Sequence, residues 1–236
     1  MKKFLVFLCA MLLVFGMAIS ARAYPYPYLD EIIAGEDHIQ PTGADYVYLS
    51  EGNTAMATLL LESNEWANSA FAIYDPITGP ITDHVLVVFE PGDEPGIPTQ
   101  TEVTFNLETG KAEITSSTNS GLLGTWAYIS PSNFGFYIDV SNSPIDEWYT
   151  DASLNYDGAE HGLIYDPVGS GVIVAFEDMP SGFWGGDIPD QPDYNDMVVE
   201  VGNVVPSVPE PATMLLFGSG LIGLAVLGRK RFFKNS

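Results

Sequence analysis

Residues 176–201 read FEDMPSGFWGGDIPDQPDYNDMVVEV, with seven acidic side chains and no Lys, Arg or His. Glu177, Asp178, Asp187, Asp190, Asp193, Asn195 and Asp196 each offer an oxygen ligand, and neither His nor Cys stands among them. That donor set suits a hard cation. Ca²⁺ takes about six to eight oxygens at about 2.3–2.6 Å, whereas Zn²⁺ favours imidazole nitrogen and thiolate sulfur. The expected chemistry is a calcium clasp that uses these seven residues as its metal ligands. Their spacing does not follow the D-x-D-x-D-G order of an EF-hand, so donor type and the meeting of two chain segments carry the expectation. An Asp/Asn-rich turn whose side chains cap backbone N–H groups would use the same residues.

Strands must position them. If residues 171–177 are extended, Glu177 shares a face with Ile173 and Ala175, and Asp178 lies on the other with Val174 and Phe176. Both reach one ion only if the strand stops there, and Met179-Pro180-Ser181-Gly182 supplies a stop. Downstream, Met197, Val199 and Val201 share one face, which puts Asp196 with Val198 and Glu200 on the opposite one. Similar short runs rich in Val, Ile, Tyr and Phe recur through the chain as DYVYLS, AMATLLLE, HVLVVFE, TEVTFNLE and GFYIDV, bounded by Gly, Pro, Asn and Asp. No long stretch has helical periodicity. The expected fold is all-β, an antiparallel, jelly-roll-like β-sandwich of about 10 to 12 strands, with a hairpin turn at Glu108-Thr109-Gly110-Lys111. AIYDPITG before HVLVVFE and LIYDPVGS before GVIVAFE repeat a theme, read as two hairpins obeying one turn chemistry, with duplication as the alternative.

Other chemistry is weaker. Glu177 and Asp187 form a carboxylate pair of the kind glycoside hydrolysis uses, but such pairs abound in so acidic a chain. His38, His84 and His161 are isolated, and no Ser-His-Asp set or G-x-S-x-G assembles, so the reading is non-enzymatic. His161 reads as a polar residue at a strand edge. Phe183 and Trp184, beside Gly185 and Gly186, are candidate glycan-stacking platforms. Trp148 and Tyr194 offer further aromatic surface, whereas Trp66 and Trp126 read as core. A carbohydrate-binding module is therefore the alternative to a structural or adhesive role.

Charge and the chain ends set location. Of eight basic residues only Lys111 lies within 24–210, and all 31 acidic residues do, a formal charge of −30 for that span. Such a surface repels nucleic acid and anionic membrane and attracts cations. Residues 1–23 carry Lys2 and Lys3, an apolar run and Ala21-Arg22-Ala23, the pattern of a secretory signal peptide removed by signal peptidase. Cys9, the only cysteine, lies inside it, so the acidic all-β extracellular domain expected over 24–205 would hold no disulfide. Residues 212–228 are uncharged and, as a helix, would span about 25 Å, a little short of a bilayer core of about 30 Å. Arg229, Lys230 and Arg231 follow as a cytoplasmic stop. The expectation is a transmembrane helix that anchors the chain transiently in the inner membrane, with 24–210 outside.

The order Pro209-Glu210-Pro211, apolar run, basic end resembles the PEP-CTERM sorting signal of Gram-negative exopolysaccharide producers, expected here over 206–236. The resemblance implies recognition of Pro209, Glu210 and Pro211 by an exosortase, release to the outer surface or matrix, and a setting rich in extracellular polysaccharide. Residues 64–201 also resemble an uncharacterised family of secreted bacterial β-domains that ends in F-E-D followed by D-Y-N-D and is suspected of binding calcium. Here Asp190-Gln191-Pro192-Asp193 is one residue longer than that family's spacing.

Overall fold

A computed structural model describes residues 27–33, 39–62, 69–76, 84–91, 93, 99–140, 147–167, 171–179 and 192–207. The leader expected at 1–23, Phe183, Trp184, Asp187, Asp190, the Pro209–Pro211 motif, the apolar run and Arg229–Arg231 lie outside them. Among the described residues no helix is long and apolar enough to cross a membrane.

The described chain is antiparallel β throughout, apart from a four-residue helix, α1 (Leu29–Ile32). Its strands are β1 (Val47–Leu49), β2 (Thr54–Glu62), β3 (Ser69–Tyr74), β4 (Val85–Phe89), β5 (Gln100–Asn106), β6 (Lys111–Ser117) and β7 (Trp126–Tyr128). They continue with β8 (Gly135–Val140), β9 (Glu147–Tyr149), β10 (Gly162–Tyr165), β11 (Gly171–Phe176), β12 (Met197–Gly202) and β13 (Val204–Pro206). Seven form a sheet in the order β10-β11-β12-β2-β5-β6-β7, four form β4-β3-β8-β9, and β1 pairs with β13. The seven apolar runs read from sequence as strands are all strands, and Glu108–Gly110 turns between β5 and β6 as expected. Both Tyr-Asp-Pro passages end a strand, β3 before β4 and β10 before β11, and each pair is antiparallel.

Period-2 alternation explains the packing. In β5, Val103 and Phe105 point inward while Glu102, Thr104 and Asn106 do not; Ala112 and Ile114 do the same in β6. Both larger sheets send side chains into one apolar cluster: Phe71, Leu86, Phe136 and Trp148 from one, Leu59, Phe105, Ile114, Val174 and Val199 from the other. A second cluster lies on the opposite face of β10–β12, where Leu163, Tyr165, Ile173 and Val198 are covered by Leu29 of α1 and by Tyr194. Residues buried on both faces explain why GVIVAF is continuously apolar rather than alternating.

Three side chains depart from the sequence reading. Trp126 is 51% exposed, because β7 is an edge strand and its partner in the alternation, Ala127, faces the core. Trp148 and Tyr194 are fully buried and offer no stacking surface. Trp126 instead stands against Tyr128 at 5.4 Å between ring centroids, with the Lys111 ammonium 4.6 Å above its ring. Trp126→Ala is therefore expected to lower stability by no more than about 1 kcal/mol, the worth of an exposed cation–π contact, read as a small shift in a chemical denaturation midpoint.

Candidate metal centre

β11 stops at Phe176, so Glu177 and Asp178 leave the ladder together. Phe176 pairs with Met197, the first residue of β12, and Asp196 donates its N–H to the Phe176 carbonyl at 3.1 Å. Asp196 thus sits across the strand ends from Glu177 and Asp178. One carboxylate oxygen from each of the three lies within 4.8 Å of those of the other two. Glu177 and Asp178 are buried, 4% and 8% exposed.

Local hydrogen bonds hold the three in place. The Asp178 N–H donates to Asp196 Oδ2 at 2.8 Å. Glu177 accepts from two directions, Met179 N–H to Oε1 at 3.1 Å and Asp193 N–H to Oε2 at 3.0 Å. Between Asp193 and Asn195 the backbone turns through Tyr194 at φ 54°, a left-handed conformation costly for an aromatic residue. Burial of the Tyr194 ring, and its hydroxyl donated to the Glu160 carbonyl at 3.1 Å, hold that turn. The Asp193 side chain is exposed, and its Oδ1 takes the Asn195 N–H at 3.5 Å. Of the seven residues read as ligands, three converge, Asp193 and Asn195 shape the adjoining turn, and Asp187 and Asp190 lie outside the described residues.

The centre rests on groups with no ligand pattern in the sequence. Trp148 of β9 donates Nε1–H to the Asp178 carbonyl at 2.9 Å, tying one sheet to the carboxylate-bearing end of the other. Its indole lies nearly parallel to the His161 imidazole, 3.6 Å between centroids at 16°. His161 precedes the edge strand β10 and is fully buried. Its Nδ1 lies 3.1 Å from the Glu177 carbonyl, which can only accept, and its Nε2 lies 3.1 Å from Asp157 Oδ2. The hairpin register was the available signal: Gly162 opposite Phe176 puts His161 opposite Glu177, and Glu177 N–H bonds the His161 carbonyl at 3.0 Å. Gly162 is required there, since an added Cβ would come within 2.6 Å of the Phe176 ring.

The electrostatics are unbalanced. Burial, and then the charge of Asp196, hold the Glu177 and Asp178 carboxyls well above the usual carboxylate range; burial raises Asp196 as well. His161 brings no relief, because burial pushes its imidazole below its ordinary value. The single lysine of 24–210 is elsewhere, paired with Glu113 on β6. Protons or an external cation must neutralise this group. An oxygen-only set spanning 4.8 Å fits calcium, whose ligands stand about 2.3–2.6 Å from the ion. A further acidic group lies nearby, where burial and the charges of Asp45 and Asp151 push Glu160 up to about 8.

No curated protein and no solved structure matches the chain. Residues 207–231 match the PEP-CTERM protein-sorting motif, so the acidic β-rich chain carries the signal of an exported protein sorted by an exosortase toward the cell surface.

Proposed function

We propose that this exosortase-sorted chain is a structural or adhesive component of the surface or extracellular matrix, built as a calcium-stabilised β-sandwich in a polysaccharide-rich setting. The observation that carries the calcium reading is the convergence of Glu177, Asp178 and Asp196 on one point without a protein cation. Bound there, Ca²⁺ would supply charge neutralisation and join the end of β11 to the start of β12. Glu177, Asp178 and Asp196 would hold it through carboxylate oxygens. No catalytic group is assigned.

Trp148 makes a direct test possible, since its indole is bonded to the Asp178 carbonyl. Terbium(III), an oxygen-seeking ion used in place of Ca²⁺, is expected to show green emission on tryptophan excitation, to lose it to excess Ca²⁺, and to lose most of it in Trp148→Phe. Emission that never exceeds that of free terbium would reject the metal centre. A glycan-binding role is the second reading. Exposed Trp126 and Tyr128, on one face of β7, favour it as a stacking surface.

A further inference from the structure

The sorting motif follows the folded domain with almost no spacer. β13 pairs with β1 in the register Val47 opposite Pro206, Tyr48 opposite Val205 and Leu49 opposite Val204. The pairing continues to Ser207, whose N–H donates to the Tyr46 carbonyl at 2.8 Å. Only Val208 then separates Ser207 from Pro209, the first residue of Pro-Glu-Pro. One residue spans at most about 3.6 Å, so a protein bound to Pro209–Pro211 meets a backbone still paired with the domain.

Peptide-recognising proteins commonly take their targets extended, with several residues of main chain engaged on either side of the recognised group. The residues available on the N-terminal side are Val204 to Ser207. Val204 is 2% exposed, within the common core, and Pro206 is buried. Val204 and Pro206 are therefore inaccessible while β13 is paired, and Ser207 is held by its bond to Tyr46. β1 does not need β13 to stay in place. Its Val47 N–H bonds the Phe134 carbonyl at 2.9 Å, Phe134 N–H returns to the Val47 carbonyl at 3.0 Å, and Leu49 N–H bonds the Pro131 carbonyl at 2.9 Å. β13 is the outer strand of a two-stranded sheet, and Pro206 stands where the ladder needs no N–H, opposite Val47.

We infer that β13 is part of the segment the sorting enzyme engages, and that the β1–β13 pairing opens before the chain is processed. The inference rests on the exosortase reading. The folded domain thereby sets the rate of its own processing, because cleavage of a transiently opened segment follows the population of the open form.

The test uses the full chain in cells that carry its sorting enzyme, with conversion of precursor to product followed by mass. Tyr48→Cys with Val205→Cys joins two directly opposed residues, a spacing of about 5.5 Å that a disulfide accommodates. Tyr48 is exposed and Val205 half-buried, so little packing is lost, and the chain's one native cysteine, Cys9, is in the leader. With the disulfide formed, conversion is expected to slow about tenfold or more. Eight Gly/Ser residues inserted after Ser207 are expected to restore it in the locked chain and to speed it in the unlocked one. Normal conversion of the locked chain overturns the inference. So does a locked chain that stays unprocessed with the insertion, because the block then lies elsewhere. Glu210→Ala separates the two levels: if it is processed at the normal rate the exosortase reading itself fails, whereas its loss beside normal conversion of the locked chain sinks only the role of β13.

Discussion

Calcium added to the metal-free protein at pH 8 is expected to raise its melting temperature by about 5–10 °C once free Ca²⁺ stands a hundredfold above Kd. The estimate follows from about 2.7 kcal/mol of linkage stabilisation and about 2–4 °C per kcal/mol for a domain of this size. The effect should depend on pH in a definite direction. Glu177, Asp178 and Asp196 titrate above the ordinary carboxylate range when folded, so the native state holds more protons than the unfolded chain between those two ranges. Stability must then fall as pH rises through that window in the presence of chelator. Calcium replaces the protons, so its increment should be small near pH 5 and grow toward pH 8. Glu160, pushed up to about 8 beside Asp45 and Asp151, adds a slope of the same sign that calcium at the triad leaves in place. Calorimetry with Ca²⁺ and with chelator, at pH 5 and pH 8, separates these contributions. A melt at pH 8 that ignores calcium rejects the clasp.

The parts of this arrangement that sequence reveals are those written in local alternation. Val103 and Phe105 against Glu102 and Thr104 declare β5 and its inward face without knowledge of any neighbour. Met197, Val199 and Val201 likewise declare one face of β12, and all three lie in the main core as the spacing implies. The stop after Phe176 was legible from Met-Pro-Ser-Gly, and it is what lets Glu177 and Asp178 turn toward Asp196. Short strands were less visible. β7, β9 and β13 have three residues each, too few to show a period, and what makes them strands is a partner far away in the chain. Burial of isolated residues is just as hard to see from local sequence. Trp126 is apolar enough for a core yet falls on the outward phase of an edge strand, while His161 is polar yet stacks inside on Trp148, 13 positions earlier. Tertiary packing decides such cases, and neither residue type nor spacing encodes it.

The site also explains why an acidic protein would tolerate buried carboxylates in place of an apolar turn. At an effective dielectric of about 20, two unit charges about 5 Å apart repel by roughly 3 kcal/mol, so a fully ionised trio is a large local strain. The hydrogen bonds from Asp178, Met179 and Asp193 N–H groups offset part of it and keep the oxygens directed toward one another. A turn used only for capping would keep the Asp178 N–H bond with Asn at position 196 and shed that residue's share of the repulsion. On the calcium reading, a bound cation relieves the rest of that repulsion.

Asp196→Asn distinguishes the two uses through a reversal of sign. The Asn carbonyl oxygen can still accept the Asp178 N–H that Asp196 Oδ2 accepts now, so the cap survives while one of three charges goes. In chelator at pH 8 the variant is expected to melt at or above the wild-type temperature, since repulsion is relieved. In saturating calcium for the wild type it is expected to melt below it, with affinity for Ca²⁺ lowered about tenfold or more through loss of a charged ligand. A cap without a metal predicts instead a small change of one sign, the same with and without calcium. Glu177→Gln is the contrasting case. Both Glu177 oxygens accept backbone N–H groups, and a Gln side chain can offer an oxygen to only one of Met179 and Asp193. It should lose about 1–3 kcal/mol in chelator and in calcium alike, on top of its loss of calcium response. A wild-type melt that calcium raises, an Asp196→Asn melt that calcium raises markedly less, and a crossing of the two on addition of chelator would together identify Asp196 as a ligand rather than a cap.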